Sequence, residues 1–136
     1  MKDSLQAGVR ISVTIDVDAD RTIGFMGDEG RVYATPSMIS DFEYSCRNLL
    51  LGHMDDGEDT VGTHVSMDHL APTVEGDKVT FEIEITEVDG RQVTLQATVS
   101  DTVELVGRGI HKRFVVDKAK TFERIKAKRE KALGAA

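Results

Sequence analysis

Residues 8–17, GVRISVTIDV, alternate apolar and polar positions without a break, so Val9, Ile11, Val13, Ile15 and Val17 share one face. That period predicts a half-buried strand. A glycine-rich loop through GDEG follows, and the period then changes. On a helical wheel Met38, Ile39, Phe42, Cys46, Leu49 and Leu50 fall within an arc of roughly 120°, which predicts a helix from Pro36 to about Leu51. Thr35 is placed to cap it, Pro36 suits its first position and Gly52 closes it. Alternation returns in 60–70, where Val61, Thr63, Val65, Met67 and His69 share the inward phase and His64 points the other way. It recurs in Lys78–Val88 and Arg91–Ser100, joined by the hairpin pair Asp89-Gly90, and again over roughly Leu105–Val116. A basic helix ends the chain.

The predicted order is strand, helix, then four strands, with short turns making the last strands an antiparallel meander. One long apolar helix so early in such a chain must be covered by the sheet. The expected fold is therefore α+β, an antiparallel sheet wrapped around a long central helix. A chain of 136 residues can bury a real core. It shows no internal repeat, low-complexity tract or linker, so residues 1–136 are expected to form a single domain.

Composition narrows the classes. No apolar run approaches the eighteen or so residues of a membrane span, and MKDSLQAG lacks the apolar core of a secretory signal. The lone cysteine, Cys46, permits no internal disulfide and fits a reducing compartment. A cytoplasmic protein is expected. The net charge of −7 argues against general nucleic-acid binding. Charge is uneven, however: 52–59 is acidic, whereas 117–131 is locally basic.

Two polar residues stand where apolar ones are expected. Glu43 lies about 20° beyond the apolar arc of the helix. It is either half of an exposed Glu43–Arg47 pair or a carboxylate at the wall of a cleft. His69 ends the inward face of its strand. With Thr35 these supply a hydroxyl, a carboxylate and an imidazole on two elements that a wrapped sheet juxtaposes, the inventory for acyl transfer. Gly62 suits a bulge or a close backbone approach by substrate. Cys46, mid-stripe, reads as core. His53, Asp55, Asp56 and Asp59 lack any recognised ligand spacing and read as a solvated loop, so no metal or cofactor is expected. Arg108, His111, Lys112 and Arg113 read as solvent-facing positions of a strand, and the terminal basic helix as solvated or as a partner for phosphate groups.

These residues resemble the hotdog-fold acyl-CoA thioesterases, most closely the fluoroacetyl-CoA thioesterase type. That type carries a threonine just before the central helix, a glutamate eight residues on and a histidine on the following strand. ATPSMISDFE places Thr35 and Glu43 at that spacing, and VGTHVSMDHLAPTVEGDKV places His69 in a similar segment. GRGIHKRFVV resembles the family's G-x-G-x-H-x-R strand. The resemblance implies a hotdog fold, an acyl-CoA substrate, dimers with active sites at the subunit interface, and catalytic roles for Thr35, Glu43 and His69. Because one helix cannot cover every apolar strand face and exposed sheet edges invite pairing, a homodimer or dimer of dimers is expected. The segment RTIGFMGDEGRVYA looks shorter and richer in glycine than the family's phenylalanine-bearing lid, so the fluorinated substrate is not carried over.

Three functions are open to such a chain: a thioesterase, a hotdog dehydratase or isomerase, and a non-catalytic acyl-CoA-binding module. The threonine before the helix favours hydrolysis, and the histidine–acid arrangement of the hydratases is not visible. Neither nucleic acid nor membrane is expected as a partner.

Overall fold

In the computed structural model, which describes residues 1–134, the alternating segments join one antiparallel sheet. Its strands are β1 (Arg10–Asp16), β2 (Glu58–His69), β3 (Lys78–Asp89), β4 (Gln92–Ser100) and β5 (Leu105–Asp117); α1 (Thr35–Leu51) lies between β1 and β2, and α2 (Lys118–Leu133) follows β5. Val79, Phe81, Ile83 and Ile85 of β3 and Val93, Leu95, Ala97 and Val99 of β4 turn one face inward. Met38, Phe42, Cys46 and Leu50 of α1 fill the concavity they line. The sheet wraps α1, as the one long apolar helix requires.

The strand order is β1-β3-β4-β5-β2. The meander therefore covers β3 to β5 alone, and β2 pairs with β5 at the far edge. Two short turns explain the meander. Asp89 pairs with Gln92, so the first hairpin turns on Gly90 and Arg91, one residue later than expected. Gly90 takes φ 59°, the conformation a glycine supplies at the first central position of such a turn. The second turn is held by Asp101, whose Oδ1 accepts from the backbone N–H of Val103 and Glu104, both at 2.8 Å. The longer run 70–77 cannot make a tight hairpin and carries the chain across the sheet instead.

The alternation of β2 breaks in its middle. Its register against β5 shifts between Gly62 and His64, a β-bulge that takes up Thr63. An extra residue reverses the faces. Val65, Met67 and His69 keep the expected inward phase, whereas Val61 and Thr63 are exposed and Thr60 is buried.

The helix α1 lies close on β5 because two inward positions there are glycines. A Cβ at Gly107 would meet Met38 Sδ at 2.8 Å, and one at Gly109 would meet Phe42 Cε2 at 3.0 Å. By contrast α2, capped by the Asp117 carboxylate on Lys120 N–H, has no buried residue. Among the described residues no helix is long and apolar enough to cross a membrane.

Candidate active site

Thr35 is the first residue of α1, not its cap. Ala34 takes the cap position and offers no side-chain hydrogen bond. The threonine hydroxyl is thus free for another partner, and it lies 2.7 Å from Nδ1 of His69, the last residue of β2. The imidazole and the Tyr33 ring meet in a T-shaped contact, centroids 6.4 Å apart and planes at 72°. Tyr33 is fixed in turn: its hydroxyl donates to Asp41 at 2.5 Å, and Arg21 Nε donates to the same carboxylate at 3.1 Å. Burial and the Asp41 acceptor both keep the phenol protonated. On the imidazole, Nε2 is buried and has no partner among the described residues. Burial holds the His69 pKa below the ordinary 6.5, against a weaker opposing effect of the Ala71 backbone. Thr35 and His69 open on a cavity of about 360 Å³ walled by Ile23, Phe25, Leu70 and Pro72.

Glu43 stands elsewhere. Eight residues separate it from Thr35, about 12 Å of helix, so within one chain it does not join the Thr35–His69 pair. The alternative, an exposed Glu43–Arg47 pair, does not form either. Arg47 donates instead to Asp59, through Nε at 3.0 Å and Nη2 at 2.7 Å. Glu43 is half-buried, and its charge acts on Cys46, His111 and Arg113. Gly62 borders the same group: a Cβ there would lie 3.3 Å from His111 Cε1 and 3.6 Å from Arg113 Nη1.

His111 and Arg113 are buried, contrary to the solvent-facing reading. They hold β2 from behind. Arg113 Nε donates to Thr60 Oγ1 and Nη2 to the Thr60 carbonyl, each at 2.7 Å. His111 Nδ1 lies 2.7 Å from the His64 carbonyl, which can only accept, so Nδ1 carries the hydrogen. Nε2 is then the acceptor for Arg113 Nη1 at 3.1 Å. Burial and then the neighbouring guanidinium lower the His111 pKa, with the His64 carbonyl opposing, and the ring is neutral. Thr60, before the bulge, and His64, at its end, are thereby tied to β5.

The arrangement offers a hydroxyl on a neutral imidazole in an open pocket, with a carboxylate about a dozen ångströms along the helix. A nucleophile–base pair beside a cavity is the equipment of acyl transfer. A larger cleft of about 620 Å³ lies on the outer face of the sheet, against Glu82, Gln96 and Arg108, and holds none of these groups.

Comparison with known proteins decides among acyl-transfer enzymes. The profile of the fluoroacetyl-CoA-specific thioesterase family matches residues 17–119. The chain belongs to this family of acyl-CoA thioester hydrolases. It is 27% identical over 135 residues to the fluoroacetyl-CoA thioesterase of Streptantibioticus cattleyicolor, covering 94% of this chain and 97% of that protein. A solved structure of a fluoroacetyl-CoA thioesterase superposes with a TM-score of 0.83 at 26% identity, over 93% of this chain and 98% of the other. A hot-dog-like protein of Thermanaerovibrio acidaminovorans, 23% identical, gives 0.83 over 90% and 91% and shows the shared hotdog fold.

Within this thioesterase, sequence reasoning missed Tyr33 and Asp41, which seat His69, and misplaced His111 and Arg113. The second pair had a signal. Gly107, Gly109, His111, Arg113 and Val115 share one phase of β5, and glycines in that phase mark the face on which a helix lies. Tyr33 and Asp41 had none, because their meeting depends on the loop that returns Arg21 to the start of α1.

Proposed function

We propose that this thioesterase cleaves acyl-CoA at the Thr35–His69 pair, with Glu43 and Gly62 of a second copy completing the site. The observation that carries the reading is the 2.7 Å contact between a hydroxyl not used for capping and an imidazole kept neutral by burial. Thr35 Oγ1 attacks the thioester carbonyl carbon while its proton passes to His69 Nδ1. Collapse of the tetrahedral intermediate breaks the C–S bond, and the same proton goes to the sulfur of the leaving CoA. Water then attacks the acyl-threonine ester, giving a proton to His69. The acid leaves and the proton returns to Thr35. Glu43 stabilises the transient imidazolium, and Gly62, without a Cβ, lets the carbonyl approach the β2 backbone.

The second copy enters through β2. It is an edge strand of twelve residues, exposed from Val61 to His64, and an open edge of that length invites pairing. A two-fold axis between Val65 and Ser66 pairs β2 with its own copy in antiparallel fashion, Gly62 opposite His69. The Gly62 end of one protomer then approaches the His69 end of the other. The assembly is a homodimer or dimer of dimers, each chain acting as one domain. Buried Cys46, with no second cysteine, suits the cytoplasm. A variant of the fluoroacetyl-CoA thioesterase has been solved with acetyl-CoA, which makes small acyl groups the first to try.

A thiol-release assay over an acyl-CoA panel from acetyl to long-chain, fluoroacetyl included, tests the reading. Stoichiometric release of free CoA and acid for one acyl class is expected, with an acyl-threonine at residue 35 trapped by rapid quench. Hydration of enoyl-CoA without thiol release would contradict it and favour a dehydratase. Binding without turnover would favour a carrier.

A further inference from the structure

The terminal helix α2 is the most cationic element of an acidic chain. Its sixteen residues hold seven lysines and arginines against two glutamates, while the chain as a whole has net charge −7. CoA is polyanionic, with a diphosphate and a 3′-phosphate, and on a protein of this net charge such a cluster attracts it. The helix is also not uniformly polar. Lys118, Phe122, Ile125, Lys126, Arg129 and Leu133 fall within about 100° of one another on the wheel. Phe122 and Leu133 are 64% and 76% exposed. Cations interleaved with an aromatic ring suit a base and its phosphates side by side, since a base stacks on an aromatic face while phosphates meet the charges. A lipid surface would require the three cations within the apolar arc to be buried with it.

Placement decides which site the helix can serve. In one chain α2 starts beside Asp117, which pairs with Glu58 at the start of β2; Lys118 N–H donates to the Gly57 carbonyl at 2.8 Å. His69 is at the other end of that strand, about 36 Å away. With Gly62 opposite the partner subunit's His69, Glu58 lies four residues, about 13 Å, further along the strand. The start of α2 is two strand spacings across from there, within about 20 Å of the partner's pocket. Resting on the reading of the active site above, we propose that the Lys118–Phe122–Arg129 face of α2 holds the adenosine 3′-phosphate 5′-diphosphate portion of CoA for the active site of the opposite subunit. The pantetheine arm bridges from helix to pocket.

Calorimetric titration of the full chain with CoA, and separately with pantetheine, is the test. The K118Q/K126Q/R129Q variant, altered only on an exposed helix, is expected to raise the Kd for CoA about tenfold or more and to leave that for pantetheine unchanged. Phe122→Ala should raise the CoA Kd by a smaller factor, and wild-type affinity for CoA should fall as KCl is raised. An unchanged CoA Kd in the triple variant, or equal losses for both ligands, would overturn the proposal. So would loss of binding to phosphatidylserine vesicles with CoA affinity intact. Wild type that binds neither CoA nor pantetheine would instead defeat the acyl-CoA reading on which the proposal rests.

Discussion

The two ends of β2 carry the same kinds of group to opposite effect. At one end His111 and Arg113 are buried, every nitrogen has an acceptor or donor, and two carbonyls of β2 are held at 2.7 Å. At the other end His69 is half-buried over a pocket, bonded on Nδ1 to a hydroxyl and with nothing on Nε2. A saturated network rigidifies a strand, and leaving it partly unpaired would be costly. An imidazole with one hydroxyl partner and a free nitrogen, beside space for a substrate, is equipped to move protons. Satisfaction of hydrogen bonds, more than residue type, separates the clamp from the machinery.

The comparison breaks most visibly by truncation. His69→Ala should lower turnover by a factor of about 10² to 10⁴, with circular dichroism and melting temperature close to wild type. An unfolded variant would place His69 with the clamp. Arg113→Met should do the reverse. It orphans the Thr60 carbonyl and His111 Nε2 inside the sheet, so urea unfolding should show a loss of about 2–4 kcal/mol. A loss below about 0.5 kcal/mol would show that β2 does not depend on the clamp.

Glu43 belongs to neither end by contact, and its near-isosteric amide asks which it serves. Glu43→Gln should lose orders of magnitude in kcat while CoA-ester binding persists. Arg47→Ala should cost about 1 kcal/mol or less of stability through its half-exposed pair with Asp59 and leave turnover alone. Equal, mild effects from both would return Glu43 to the surface.

The smallest effect is in pH. Burial lowers the pKa of both His69 and His111 below 6.5. The folded chain therefore binds fewer protons than the unfolded chain once pH falls past 6.5. Stability contributed by these groups is complete above that value and is lost as pH drops toward the folded pKa values. Denaturation between pH 8 and pH 5 should show the decline, and His111→Asn should reduce it. The acid limb of kcat/KM, set by His69, should lie below 6.5 and be unaffected by that change. A limb above 6.5 would mean that His69 is charged in the resting enzyme.

Much of this was legible in the chain. Periods of two and 3.6 placed the five strands and α1, the basic run at the end placed α2, and the offset of Glu43, the phase of His69 and the position of Thr35 marked the polar residues worth examining. What failed has physical causes. Periodicity records faces, not neighbours, so it could not send β2 to the far edge of the sheet. A bulge adds one residue without changing composition, so the faces of Val61 and Thr63 came out reversed. Arg113 and His111 read as solvent-facing because charge outweighs phase in a residue-by-residue judgement, whereas in the fold two β2 carbonyls and the Thr60 hydroxyl compensate their burial. Thr35 was read as a cap because the alternative partner is thirty-four residues away.

The central claim is that each active site draws Thr35 and His69 from one chain and Glu43 from the other. Mixing His69→Ala and Glu43→Gln chains, each nearly inactive alone, tests it directly. After unfolding and co-refolding at equal amounts, half of the dimers should be mixed, and each mixed dimer should have one intact site. Recovery to about a quarter of wild-type turnover is expected. No recovery, with mixed dimers demonstrated by native mass spectrometry, would mean that the three residues work within a single chain or do not work together at all.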